Sequence, residues 1–128
     1  MDKIENPELW ATTVAHLMYE VTAKHVPDTT TLGELRVLTV IAMAAVTGSA
    51  VTTKEISTRT SIPPYRISRI VARYLENGAL EEKPHPSDGR SKQICFREQA
   101  FELNKKWSNG LHRAIAQSGL LWRGQKIN

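Results

Sequence analysis

The sequence predicts a mostly α-helical fold with one small β-hairpin. Three observations carry this. Apolar residues recur at helical spacing in separate windows, and residues that start and stop helices punctuate those windows. Between Leu80 and Phe96, two short strand-like runs flank a Pro/Gly/Asp-rich turn.

Asn6-Pro7 opens the first helix, with Asn as cap and Pro at the first helical position; Trp10, Val14, Leu17, Met18 and Val21 then keep helical spacing, and the helix ends near His25-Val26-Pro27. A Thr-rich turn leads to a second helix from about Leu32 to Val46, apolar nearly all round as suits a buried centre. Gly48-Ser49 closes it. Thr52-Thr53-Lys54-Glu55 places a Thr three residues before a Glu, the capping-box spacing, and begins a short third helix to about Thr60. Ser61-Ile62-Pro63-Pro64 breaks that helix, because a residue before proline is pushed out of helical geometry. Pro64 restarts a fourth, running to about Asn77 and closed by Gly78. Leu80 to Lys83 and Gln93 to Phe96 read as strands, and residues 84–91 between them as the tip of a wing. The last helix, about Arg97 to Ser118, carries Leu103, Trp107, Leu111 and Ile115 at four-residue steps, a single apolar stripe that needs a partner. Gly119 to Asn128 is expected to fray, with Leu120, Leu121 and Trp122 available to dock. A short capped helix, a break, a second helix and a hairpin make a winged helix-turn-helix, flanked by N- and C-terminal helices.

The bulk numbers fit one cytoplasmic domain. The 128 residues can bury a core without disulfides or a structural metal, and 41% apolar with 23% charged residues is ordinary for a globular chain. The apolar stretch from Leu35 to Val46 contains Arg36 and is well short of the roughly 20 residues that span a bilayer, so no membrane partner is expected. Met1 to Pro7 lacks the pattern of a secretory signal. The single cysteine, Cys95, fits a reducing compartment and excludes an internal disulfide. Charge is unevenly placed: residues 1–50 carry three Lys/Arg against six Asp/Glu, residues 51–97 nine against five, and residues 98–128 five against two. The basic excess begins where the helix-turn-helix begins.

That excess is concentrated on the fourth helix. With Arg66 at zero and about 100° per residue, Arg69 falls near 300° and Arg73 near 340°, while Ile67, Ile70, Val71 and Tyr74 fall between roughly 40° and 140°. No Asp or Glu interrupts Ser61 to Leu75. An α-helix fits the DNA major groove, and the N-terminal residues of such helices enter deepest. Tyr65, Arg66, Ser68 and Arg69 are therefore the candidate readers, with Arg73, a turn later, expected on a phosphate. Three arginines on an exposed face can also be a plain solvated surface; the preceding capped helix and the following wing argue against that here.

From Leu32 to Leu103 the chain resembles the MarR (multiple antibiotic resistance regulator) family of winged-helix transcription factors. Leu35-Arg36-Val37-Leu38 is similar to the family's second helix, Val51-Thr52-Thr53-Lys54-Glu55-Ile56-Ser57 to the start of its third, and Ile67-Ser68-Arg69-Ile70-Val71-Ala72-Arg73, with Gly78 following, to its recognition helix. Asp88-Gly89-Arg90 with Phe96 resembles the family's wing signature. The resemblance implies that Arg90 reaches a minor groove, a sensible use of Arg charge, and that Asp88 holds the wing turn. The expected DNA-binding set is thus Thr53, Pro64, Tyr65, Arg66, Ser68, Arg69, Arg73, Asp88, Arg90 and Lys92. The chain departs from the family at Phe96-Arg97-Glu98-Gln99-Ala100, where Leu-Thr and a Gly are usual, and has room for one C-terminal helix rather than two.

The expected organisation is a single domain over 1–128, with residues 31–97 binding DNA and residues 1–30 and 98–128 forming dimerisation helices. The dimer surface is expected to use Trp10, Val14, Leu17, Leu103, Trp107, Leu111 and Ile115. A two-fold dimer would present two recognition helices to successive major grooves of a pseudo-palindromic operator, and repression is the expected sign. The same stripes can instead pack within one protomer. The resemblance implies that a small-molecule effector is possible, since many relatives release DNA on binding a small aromatic or an oxidant; here nothing marks an effector site. His16, Tyr19, His25 and His112 are available to line a cleft, and Cys95 sits in a strand, where a Cys is more often inert filler. No phosphate-cradling Gly loop, nucleophile elbow or metal-ligand spacing occurs, so neither enzyme activity nor a cofactor or metal is expected. Two alternatives share the pattern: a winged helix serving replication, transfer or segregation of a mobile element, and a protein-interaction adaptor, for which the arginine stripe would be unnecessary.

Overall fold

A computed structural model describes residues 6–119. Its elements are α1 (Pro7–Ala23), α2 (Leu32–Val46), α3 (Thr53–Thr60), α4 (Pro64–Glu76), β1 (Leu80–Pro84), β2 (Lys92–Phe96) and α5 (Glu98–Ser118). The mostly α architecture with a hairpin wing is the one expected. Leu120, Leu121 and Trp122, named above as available to dock, lie outside the described residues.

Helices begin where a side chain satisfies their first free N–H groups. Asn6 Oδ1 accepts from the backbone of Glu8 at 2.9 Å and Leu9 at 3.2 Å. Thr52 and Glu55 form the expected capping box at α3, and Thr31 with Glu34 forms a second at α2, where a Thr-rich turn alone was expected. Gly48 and Gly78, at φ +77° and +85°, follow α2 and α4 in the left-handed conformation that ends a helix. Between α3 and α4 that conformation falls on Ser61 instead, φ +61°, at a cost of about 1–2 kcal/mol for a residue with a Cβ. The turn is held from several sides. Ser57 Oγ donates to the Ile62 carbonyl at 2.7 Å, the Ile62 N–H donates to Thr60 Oγ1 at 3.2 Å, and the Arg36 guanidinium donates to the Thr60 carbonyl.

The core is built from one face of each element around the helix-turn-helix. Val37, Val40, Ile41 and Ala44 of α2 meet Ile56 of α3, Ile67 and Val71 of α4, Leu80 of β1 and Ile94 of β2, with Val51 and Ile62 from the connections. The strands pair antiparallel, Leu80 opposite Phe96 through Pro84 opposite Lys92. A single-residue bridge adds Val51 to the hairpin, the Ile94 N–H donating to the Val51 carbonyl at 2.7 Å.

The chain divides into two compact units. Residues 29–104 hold α2 to β2 and the first turns of α5; the other unit holds α1 and α5 from Lys105 onward. Among the described residues of that second unit burial is sparse. Val21 is the one buried residue of α1, and α5 has none. Trp107 Nε1 donates to Thr22 Oγ1 at 2.9 Å, and Gly110 allows α5 close to α1, since a Cβ there would lie 3.3 Å from Val21 Cγ1. No helix among the described residues is long and apolar enough to cross a membrane.

Candidate nucleic-acid interface

The fourth helix is rooted by Ile67 and Val71, at 0% and 4% exposure, so its opposite face is turned to solvent. Tyr65, Arg66, Ser68, Arg69 and Arg73 all stand exposed on it, with Pro64 at the first helical position. Pro63 supplies no side-chain cap and the first turn holds no acid, so the positive end of the helix is not neutralised locally. Thr53 lies half-buried at the start of α3.

Beside this face lies a cleft of about 320 Å³ lined by Thr31, Glu34, Arg66, Arg69, Ile70 and Arg73. Arg66 reaches toward the start of α2, where a Cβ on Gly33 would sit 3.5 Å from Arg66 Nη2. At the back of the cleft is a carboxylate that sequence reasoning missed as a site residue. Glu34 is buried, and Oε1 accepts from the Thr31 N–H at 3.2 Å, the Thr31 hydroxyl at 3.1 Å and Arg73 Nη1 at 3.2 Å, while Oε2 accepts from the Tyr74 hydroxyl at 2.6 Å. Burial pushes its pKa up, but the hydrogen bonds from Tyr74 and Thr31 and the charge of Arg73 outweigh that and hold it below the ordinary value. The Tyr74 hydroxyl is pushed up to about 12 by burial and by the carboxylate it serves. A Thr three residues before Glu34 was the one local signal; the reach to Arg73 and Tyr74 is tertiary.

The wing tip carries the remaining candidates. Asp88 Oδ1 accepts from the Arg90 N–H at 3.1 Å and lies 3.7 Å from Arg90 Nε. The Ser91 N–H donates to the Asp88 carbonyl and the His85 N–H to the Ser91 carbonyl, both at 3.0 Å. The Arg90 side chain is 97% exposed, and Lys92, at the start of β2, is exposed beside the tip. Cys95 is half-buried with its Sγ 3.8 Å from the Glu81 carbonyl; burial pushes its thiol up, away from the reactive thiolate.

The other candidates sit in the second unit or at its edge. Trp10, Val14, Leu17, Trp107, Leu111 and Ile115 are half-buried and Leu103 is exposed. A cleft of about 660 Å³ there has Lys24, His25, Lys106 and Arg113 in its lining; of the four residues considered for an effector cleft it includes His25 but not His16, Tyr19 or His112. Among the described residues no cluster of His, Cys, Asp or Glu is arranged to hold a metal.

Comparison with known proteins gives a consistent answer. A profile of the MarR family matches residues 28–91, from the turn before α2 to the wing tip. No curated protein sequence matches the chain. Among solved structures, YusO from Bacillus subtilis superposes with a TM-score of 0.62 at 14% identity, over 87% of this chain and 74% of that one. Apo MarR from E. coli gives 0.59 at 19% identity, over 87% and 80%. A mutant of E. coli MarR complexed with operator DNA gives 0.60 at 19% identity, over 87% and 74%. At these identities the structures show the shared fold, and the profile supplies the kinship: the chain belongs to the MarR family of winged-helix transcription regulators.

Proposed function

We propose that the protein is a repressor that binds a pseudo-palindromic operator as a two-fold homodimer in the cytoplasm. The observation that carries this reading is the exposed face of α4, where Tyr65, Arg66, Ser68 and Arg69 stand free of any neighbouring acid on their own helix. In this reading the N-terminal half of α4 enters a major groove, where Arg pairs bidentately with guanine and Ser or Tyr meets base edges or phosphates. Arg90, on a wing tip tied by Asp88, enters the flanking minor groove, while Thr53, Pro64 and Lys92 contact the backbone. The sparse burial of α1 and α5 supports a second copy packing on Trp10, Val14, Leu17, Leu103, Trp107, Leu111 and Ile115. The operator complex of the E. coli relative is consistent with the same use of the fold.

Fluorescence anisotropy tests this with duplexes from the gene's own upstream region and a scrambled control. Wild type is expected to prefer its own site by about a thousandfold, and an Arg66→Ala/Arg69→Ala double variant to fall to non-specific affinity. Equal binding of both duplexes by both proteins would remove the specific-operator reading for that region. Preferred sites inside an origin or a centromere-like repeat would favour a replication or segregation role instead.

A further inference from the structure

Arg73 differs from the other two arginines of α4. Arg66 and Arg69 have, among the described residues, no carboxylate within salt-bridge distance, whereas Arg73 Nη1 lies 3.2 Å from Glu34 Oε1. The two ends of that pair are unequally wet, the Arg73 side chain 68% exposed and the Glu34 side chain 6%. A pair with both ends exposed is loosened by water and salt. Here one end is buried. The Thr31 backbone and hydroxyl and the Tyr74 hydroxyl pin the carboxylate in place, and Arg73 is its ion-pair partner. Drawing Arg73 away would leave a buried carboxylate without its counter-charge, held by the Thr31 and Tyr74 hydrogen bonds alone, which is unfavourable. Any phosphate approaching Arg73 must compete with that carboxylate and meets its negative charge in the same cleft.

We propose that Glu34 sets how tightly the protein holds DNA of any sequence: its buried carboxylate occupies Arg73 and withholds that guanidinium from the DNA backbone. The proposal rests on the DNA-binding reading above and changes the expected role of Arg73 from phosphate contact to internal partner. Backbone contacts strengthen binding to every sequence alike. Withholding one cation therefore lowers affinity for operator and bulk DNA together and flattens its salt dependence, while Arg66 and Arg69 remain available to read bases. Tyr74 acts with Glu34, because its hydroxyl fixes the oxygen that Arg73 does not use.

Glu34→Gln is the informative change, since Gln can keep the capping box with Thr31 but has no charge to hold Arg73. Binding to a scrambled duplex is measured by anisotropy across a salt series. The slope of log affinity against log salt is expected to steepen by about 0.9 in Glu34→Gln, the increment for one added phosphate contact. Adding Arg73→Ala to that variant is expected to remove the gain. Loss of folded protein cannot mimic this, because it weakens binding without adding an ionic contact. An unchanged slope in Glu34→Gln, or a gain that survives Arg73→Ala, overturns the proposal and leaves the DNA-binding reading standing. A wild type that binds neither duplex overturns both. Should Glu34→Gln fail to fold, arginine side-chain NMR of the wild-type protein decides. The Arg73 Nη signals, assigned by their loss in Arg73→Lys, keep their free-state positions on the scrambled duplex if the pair holds; movement to new positions overturns the proposal.

Discussion

Tyr74 belongs to the core by its ring and to the start of α2 by its hydroxyl, and this double attachment gives a pH signature. Its pKa is raised from 10.0 to about 12 in the folded protein, so the native state holds the phenolic proton more tightly than the unfolded chain does. The resulting stabilisation is complete below about pH 10 and is lost as pH climbs toward 12. Urea unfolding of wild type and Tyr74→Phe is expected to show a gap of about 1–2 kcal/mol near neutral pH. The gap should narrow above pH 10; one that stays constant to high pH would separate the hydroxyl from Glu34. Nothing in the sequence pattern announced this contact. The helical wheel placed Tyr74 on the apolar face and Arg73 on the basic one, correctly for each alone. Both reach the same carboxylate, 39 and 40 residues away, a meeting that only the packing of α4 on α2 creates.

At the scale of elements, α1 and α5 are the unfinished ones. Four-residue spacing from Leu103 to Ile115 makes a stripe, yet the structure buries no residue of α5, and Leu9, Met18 and Tyr19 of α1 stay exposed. Charge placed in that stripe is expected to act on assembly. In the proposed dimer, Leu111→Arg with Ile115→Arg should give a monomer in sedimentation velocity while circular dichroism still reports a folded helix-turn-helix; a dimer that persists would move the interface elsewhere. Element limits were largely legible because their causes are local. Asn6-Pro7, Thr52 with Glu55 and Gly78 act within a few residues, and the helices they bound came out within a residue or two of expectation. The third partner of the sheet was not legible, because Val51 pairs with Ile94 through one residue, too little chain for any alternation to show. The left-handed turn at Ser61 was hidden too, since Pro63 and Pro64 drew attention to the break and a non-glycine residue gives no sign of a positive φ.

For the proposed dimer as a whole the decisive quantity is the distance between two reading heads. Residues 1–50 are net acidic and the rest net basic, but each compact unit draws on both stretches, so attraction for DNA rests on the local arginine face of α4 and not on the net charge of either unit. A two-fold pair of such heads matches half-sites about one helical turn, or roughly 10 base pairs, apart. Inserting about 5 base pairs between half-sites is therefore expected to reduce affinity toward that of a single half-site, and inserting a full turn to hurt less. Equal affinity for all three spacings in anisotropy titrations would mean that the protomers bind independently.

The Val51–Ile94 bridge ties the wing to the residue just before the cap of α3, and the Arg97 N–H on the Ala79 carbonyl, at 2.9 Å, ties its foot beyond both strands. The hairpin and the recognition helix are thus mounted on one frame. In the proposed docking, such a frame gauges the angular offset between a major groove and the minor groove beside it. That offset alters when the double helix is wound or unwound. In that docking, torsional stress in the surrounding DNA becomes an input to occupancy, and affinity for a site on a supercoiled plasmid is expected to differ from affinity for the same site relaxed.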